Sequence, residues 1–138
     1  MLVRDVMSPD CQTCTTDTTA VQAAQFMADH DIGSLPVARE DRLVGMITDR
    51  DLVTRGIAGR ADLTTATAGE LMSESTYYCF DDQDCEEVAQ NMGNLQVRRL
   101  PVVNRDKSLV GMVSLGDLST RGPQLEAGQA LTEISAAS

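Results

Sequence analysis

LVGMITDRDL, at residues 43–52, returns as LVGMVSLGDL at residues 109–118, 66 positions further along a chain of 138. A hydroxyl and a carboxylate recur at the same spacing, Thr48 with Asp51 and Ser114 with Asp117, while the residues around them change. Aligning residues 7–56 on 72–122, with Ser108 as the single insertion, gives 20 identities in 50 pairs, a density that marks an internal duplication. The matches gather in blocks: Met7-Ser8 on Met72-Ser73, Leu35-Pro36-Val37 on Leu100-Pro101-Val102, 43–46 on 109–112, and Asp51-Leu52 on Asp117-Leu118. The pattern implies one site made twice.

Each copy predicts the same order: strand, helix, strand, strand, helix. Ala20, Ala23, Ala24 and Met27 follow the i, i+3, i+4, i+7 spacing of an amphipathic helix, and so do their equivalents Cys85, Val88, Ala89 and Met92. The apolar runs 35–38 and 43–47, with 100–103 and 109–113, predict strands buried on both faces. The first strands are placed near 11–13 and 76–78, and the second helices begin near Asp49 and Leu115. Gly56 and Gly59 are expected to stop the first of these. Thr67 and Glu70 have capping-box spacing for a short helix into Leu71-Met72, with Arg4-Asp5-Val6-Met7 as its counterpart. Beyond Pro123, Leu125, Leu131 and Ile134 predict one weak helix covering an edge or an oligomer contact. The domains are then residues 1–65, 66–125 and a tail, 126–138.

The bulk numbers agree. A unit of about 65 residues buries only roughly 60% of its chain surface and is marginal alone, so two copies sharing a core are expected. Composition is globular, at 42% hydrophobic and 23% charged, with few aromatics. The net charge of −10 argues against DNA or RNA as a partner, because phosphate backbones select Lys and Arg. No apolar run is long enough to span a membrane, and the start MLVRDVMSPD lacks the features of a secretory leader. A cytoplasmic location with reduced thiols is the expectation.

The recurring motif has a chemical reading. Gly45 and Gly111 leave room for a close approach to the backbone. Thr48 and Ser114 fall where a strand ends and a helix begins, so a hydroxyl caps the helix where free N–H groups attract phosphate. Asp51 and Asp117 lie one turn on, where a carboxylate can accept bonds from the 2′ and 3′ hydroxyls of a ribose.

On these residues the sequence resembles a tandem pair of cystathionine-β-synthase (CBS) domains, a Bateman module. The resemblance rests on Gly45-x-x-Thr48-x-x-Asp51 and Gly111-x-x-Ser114-x-x-Asp117, each preceded by an apolar-Pro-Val element, and spans about residues 3–122. The stretches HDIGSLPV, TATAGEL and QVRRLPV are similar to stand-alone bacterial CBS-pair proteins. The resemblance implies an α/β (α+β) fold: two β-α-β-β-α CBS repeats packed about a pseudo-twofold axis, the CBS pair, with up to two clefts for AMP, ADP or ATP. Less often the family takes S-adenosylmethionine or cyclic dinucleotides. It also implies dimers of pairs. Asp51 and Asp117 would hold ribose, and Thr48 and Ser114 would face phosphate. Leu35, Pro36, Val37, Leu100, Pro101 and Val102 would wall the adenine, with Cys11 and Thr13, and Thr76 and Tyr77, from the first strands. The copies differ in charge: Arg50 stands where copy two has Gly116, Asp49 where it has Leu115, and Arg98-Arg99 replace Gly33-Ser34. Arg50 and Arg99 therefore join the ligand-binding set, and the two clefts should differ in phosphate preference.

The function implied is a regulatory module that needs no cofactor, binds AMP or ATP, forms a homodimer and is read by an unidentified protein partner. The competing reading is a redox- or stress-responsive structural or interaction protein whose clefts are degenerate and empty. Cys11-x-x-Cys14 allows a zinc or thiol role, but Cys79 and Cys85 are spaced differently, and three of the four cysteines fall at core positions of the repeat. An enzyme is disfavoured, since no nucleophile triad or phosphate-binding glycine loop is present and the one histidine, His30, lies outside both motifs.

Overall fold

A computed structural model describes residues 1–9, 12–74 and 77–137. Cys11 and Thr76 of the expected site lie outside the described residues. The chain runs α1 (Val3–Val6), β1 (Cys14–Thr15), α2 (Ala20–His30), β2 (Ser34–Arg39), β3 (Arg42–Thr48) and α3 (Asp49–Asp51), which continues as a π-helical turn, Leu52–Ile57. Then come α4 (Ala68–Leu71), β4 (Cys79–Phe80), α5 (Cys85–Leu95), β5 (Arg99–Val103), β6 (Leu109–Ser114), α6 (Leu115–Arg121) and α7 (Gln124–Ala137). The class is α/β, with two three-stranded sheets of the same topology. In each, the short first strand pairs parallel to the second, and the second pairs antiparallel to the third.

The first strands sit three residues later than the sequence suggested. Cys14 pairs with Val37 and Cys79 with Val102, while Thr13 and Tyr77 are exposed and outside the strands. Burial decides this: Cys14 and Cys79 face the core, and a two-residue strand forms only where a side chain gains that contact. Gly56 does not stop a helix either. It is buried inside the π-helical turn, where an added Cβ would meet Leu63 at 2.9 Å.

The chain divides into two compact units, Gln12–Thr76 and a discontinuous one, Met1–Cys11 with Tyr77–Ser138. The division does not follow the sequence repeat. Val3 and Val6 of α1 are buried among Val88, Met92, Leu100, Val113 and Leu118 of the second copy. Ser8 then bridges to Met112 on the outer edge of β6, with paired backbone bonds of 2.8 and 3.1 Å. In the same way Ala68 and Leu71 of α4 enter the core of the first copy, with Ala20, Ala23, Met27, Leu35, Val37 and Ile47. Ser73 bridges to Met46 on β3, at 2.9 and 3.1 Å. Each leader segment thus adds a backbone pairing to the edge of the sheet that the other copy built.

This exchange accounts for Gly45 and Gly111. A Cβ on Gly45 would lie 2.7 Å from the Ser73 carbonyl oxygen, and one on Gly111 would lie 2.6 Å from that of Ser8. The close approach expected at these glycines is real, and the approaching group is the chain's own Met-Ser segment.

One feature breaks the symmetry of the copies. Helix α7 packs Ala127, Ala130 and Ile134 onto the core of the second copy, and leaves Leu125 and Leu131 exposed. Its buried stripe is the small one, because Gly93 of α5 lets the two helices approach: a Cβ there would meet Ala130 Cα at 3.1 Å. As a result all four predicted core positions of α5 are buried, whereas on α2 the equivalent of Ala89, Ala24, stays exposed.

Candidate functional site

The motif lies where a β-strand turns into a helix, once in each unit. Thr48 and Ser114 are N-caps in extended conformation. The Asp51 amide donates to Thr48 Oγ1 at 3.1 Å, and the Thr48 amide donates back to Asp51 Oδ2 at 2.9 Å. Ser114 and Asp117 repeat the arrangement at 3.0 and 3.0 Å. Each pair is a reciprocal capping box, a role the sequence assigned only to the hydroxyl. Half of each carboxylate is therefore spent on the fold. The second oxygen, Oδ1, accepts nothing among the described residues. No buried polar side-chain atom there lacks a partner, so Oδ1 still reaches solvent. That is room for one outside donor.

The first-turn amides differ between copies. In copy one the Asp49 amide donates to Gly33 O at 2.9 Å and the Arg50 amide to Asp49 Oδ1 at 2.8 Å. With Asp51 bonded to Thr48, all three are satisfied by the protein. The Asp49 carboxylate lies against Gly33, where a Cβ would be 3.0 Å from Oδ2. In copy two the Leu115 amide donates to Arg98 O at 2.9 Å, but the Gly116 amide finds no acceptor among the described residues.

Copy two also opens onto a cleft of about 390 Å³, lined by Arg98, Arg99, Ser114 and Gly116 on one side and by Gln124, Gly128 and Leu131 of α7 on the other. Arg99 lies directly across from Ser114 in the β5–β6 register. Both arginines are exposed, and neither forms an ion pair among the described residues, where Arg105 with Asp82 is the single salt bridge.

Of the expected residues, the structure brings Arg99 and Ser114 to this cleft. Asp117 is one turn away and does not line it. Leu35, Val37, Leu100 and Val102 belong to the hydrophobic cores of their units, and Pro36 and Pro101 are buried between them. Arg50 is exposed on α3. Arg98 and the α7 residues line the same cleft and were not among the expected residues. Arg98 carried a signal in its contrast with Gly33; α7 carried none, since its contribution depends on how the helix docks.

The remaining candidates have structural roles. His30 stacks on Phe26 at 4.3 Å between ring centroids, with Nδ1 3.0 Å from the Phe26 carbonyl oxygen. Arg105 grips Asp82 with two donors and lies 4.1 Å over the Phe80 ring, which Tyr78 meets edge-on. Burial pushes the Cys14 thiol up to about 11. Burial, then the neighbouring Cys85 and Asp81, pushes Cys79 up to about 12. Burial also raises Cys85. Neutral thiols of this kind are poor nucleophiles and poor metal ligands.

The fold and the paired turns define a duplicated α/β module. The family model for the CBS domain matches residues 3–57 and again 68–121, and the chain belongs to that family. Hypoxic response protein 1 of Mycobacterium tuberculosis is 42% identical over 122 residues, 88% of this chain and 85% of that protein. A crystal structure of hypoxic response protein I with two coordinated zinc ions superimposes with a TM-score of 0.78 at 41% identity, covering 87% of this chain and 98% of that one. The structure of CBSX2 in complex with AMP gives a TM-score of 0.77 at 26% identity, over 91% and 98% of the two chains. The CBS domain pair of protein MJ0100, in complex with 5′-methylthioadenosine and S-adenosyl-L-methionine, gives 0.74 at 28%, over 94% and 98%.

Proposed function

We propose that the chain is a stand-alone regulatory CBS pair that binds adenosine-type ligands of the AMP, ADP and ATP class at its strand-to-helix turns and signals by a change in conformation, with no catalysis of its own. The observation that carries this reading is the carboxylate of each turn, fixed through one oxygen by the capping box and open to an outside donor at the other. A ribose presents hydroxyl donors to such an oxygen, and the rigid cap sets its direction before the ligand arrives. CBSX2 with AMP and MJ0100 with two adenosine derivatives support the adenosine class, since adenosine is common to all three ligands. Binding shifts the module only by the difference in affinity between its states, and a homodimer in the cytoplasm with a protein partner to read that shift completes the proposal.

Hypoxic response protein I holds two coordinated zinc ions. Among the described residues no three His, Cys, Asp or Glu side chains converge, and the described thiols are buried and protonated. The same burial speaks against a thiol-redox role for Cys14, Cys79 and Cys85.

A thermal-shift screen with adenosine, AMP, ADP, ATP and S-adenosylmethionine tests the reading. A ligand that binds only the folded chain adds about 2.7 kcal/mol at 100 times its Kd. At least one adenosine ligand should raise Tm in a saturable way. A flat response to all of them overturns the reading.

A further inference from the structure

The duplication repeats a pair of sulfurs as well as the turn. Met7 and Met72 hold equivalent positions on the two leader segments, and Met46 and Met112 hold equivalent positions on β3 and β6. All four are half-buried, whereas Met27 and Met92 are sealed in their cores at 5% and 0% exposure. The leader pair has a particular seat. Each thioether lies over the motif glycine of the sheet that its segment straps: a Cβ on Gly45 would stand 2.6 Å from Met72 Sδ, and one on Gly111 would stand 3.0 Å from Met7 Sδ. The strap's own carbonyl crosses the same spot, since those Cβ positions are 2.7 and 2.6 Å from the Ser73 and Ser8 carbonyl oxygens. The bare glycine makes a notch that the thioether fills. Beside it run the two backbone bonds of each strap, which join Ser73 to Met46 and Ser8 to Met112.

An oxygen on either sulfur does not fit this seat. A sulfoxide is polar, where the thioether is apolar. On the side of the glycine even one added carbon collides, and a sulfoxide oxygen buried without a donor is costly. The side chain then turns outward to water and leaves the notch empty. The described thiols do not compete for an oxidant, because Cys14, Cys79 and Cys85 are buried and held neutral, while a thioether reacts without ionising.

We propose that Met7 and Met72 are oxidation sites for a hydroperoxide, and that the sulfoxide unlatches each strap from the strand it bridges. A sulfur lone pair attacks the terminal oxygen of the peroxide; the O–O bond breaks and an S–O bond forms. Sulfur gives up two electrons. The departing oxygen takes the proton from the transferred one, so the peroxide leaves as water or an alcohol. The released strands, β3 and β6, run directly into Thr48 and Ser114, so the loss of a strap is felt at the turn that carries the motif.

The test is treatment of the full chain with hydrogen peroxide, read by peptide mass spectrometry and by amide exchange in NMR. Met7 and Met72 should gain oxygen at least tenfold faster than Met27 and Met92. In the oxidised chain, exchange at the amides of Ser8, Met112, Ser73 and Met46 should rise at least tenfold, while the amides that join β2 to β3 and β5 to β6 keep their rates. Met7→Leu with Met72→Leu nearly preserves side-chain volume, and after peroxide it should hold those four amides at the untreated rate. Met46→Leu with Met112→Leu should leave the peroxide effect intact. The assignment of the sites is overturned if Met7 and Met72 oxidise as slowly as the core pair, or if the leucine straps loosen under peroxide as the native ones do. Oxidation of both without faster exchange at the straps, or with a rise spread evenly over both sheets, overturns the latch.

Discussion

Asp51 and Asp117 divide two oxygens between two tasks, and the division changes how they must be tested. Replacing either by Ala removes a ligand acceptor together with the N3 half of the capping box, a loss on the order of 1 kcal/mol, while the Thr48 or Ser114 cap itself remains. Asp117→Asn keeps an amide oxygen for the Ser114 N–H while removing the charge. Urea unfolding without ligand should show Asp117→Ala less stable by about that amount and Asp117→Asn changed by less than half of it. Both should lose affinity for an adenosine ligand. A stability of Asp117→Ala equal to that of the native chain would show that the box contributes nothing. The thiols give a second prediction at this scale. Cys14 and Cys79 titrate from an ordinary value near 9 when unfolded to about 11 and 12 when folded. A raised folded pKa means their contribution is fully present below about pH 9 and is lost as pH rises through 9 towards 11–12. Urea midpoints measured across that range should fall, and Cys14→Ala with Cys79→Ala should flatten the fall.

At the scale of elements, α7 makes the copies unequal. Ile134 is 8% exposed and packs on the second copy's core, so Ile134→Ala should cost about 2–3 kcal/mol in chemical unfolding. Gly128 sits mid-helix with free space around it, so Gly128→Ala should stabilise by about 0.5–1 kcal/mol. A loss on that substitution would place the helix wrongly. The elements also show what could be read from sequence and what could not. The duplicated helices, the apolar-Pro-Val strands and the short helix at Thr67 were legible because each depends on local periodicity or capping. The first strands were misplaced because a two-residue strand has no period, and only the burial of Cys14 and Cys79 fixes it. The face of α7 was missed because the larger residues Leu125 and Leu131 outweighed the alanines, whereas Gly93 selects a small stripe. At the site, the hydroxyl and carboxylate were legible from their spacing. Their mutual bonding was within reach of the capping-box pattern, but the occupied turn at Asp49 depends on a side-chain rotamer that no pattern records.

At the scale of the whole molecule, each leader segment belongs to the sheet that the other repeat built. Deleting residues 1–9 should therefore raise amide exchange at Met112 on β6, where Ser8 bridges, and leave Met46 on β3 protected. Hydrogen exchange read by NMR separates these. Faster exchange at Met46 with Met112 unchanged would contradict the assignment. Nothing local in the sequence announces this arrangement, because Met7-Ser8 and Met72-Ser73 look like the opening of their own repeats. The arrangement reaches further than stability. Nick the chain in the stretch before Thr67, and each of the two peptides holds the strap that its counterpart needs and lacks the one it needs for itself. Such halves are reciprocal by construction: poor folders in separate tubes, they have every reason to reassemble when mixed.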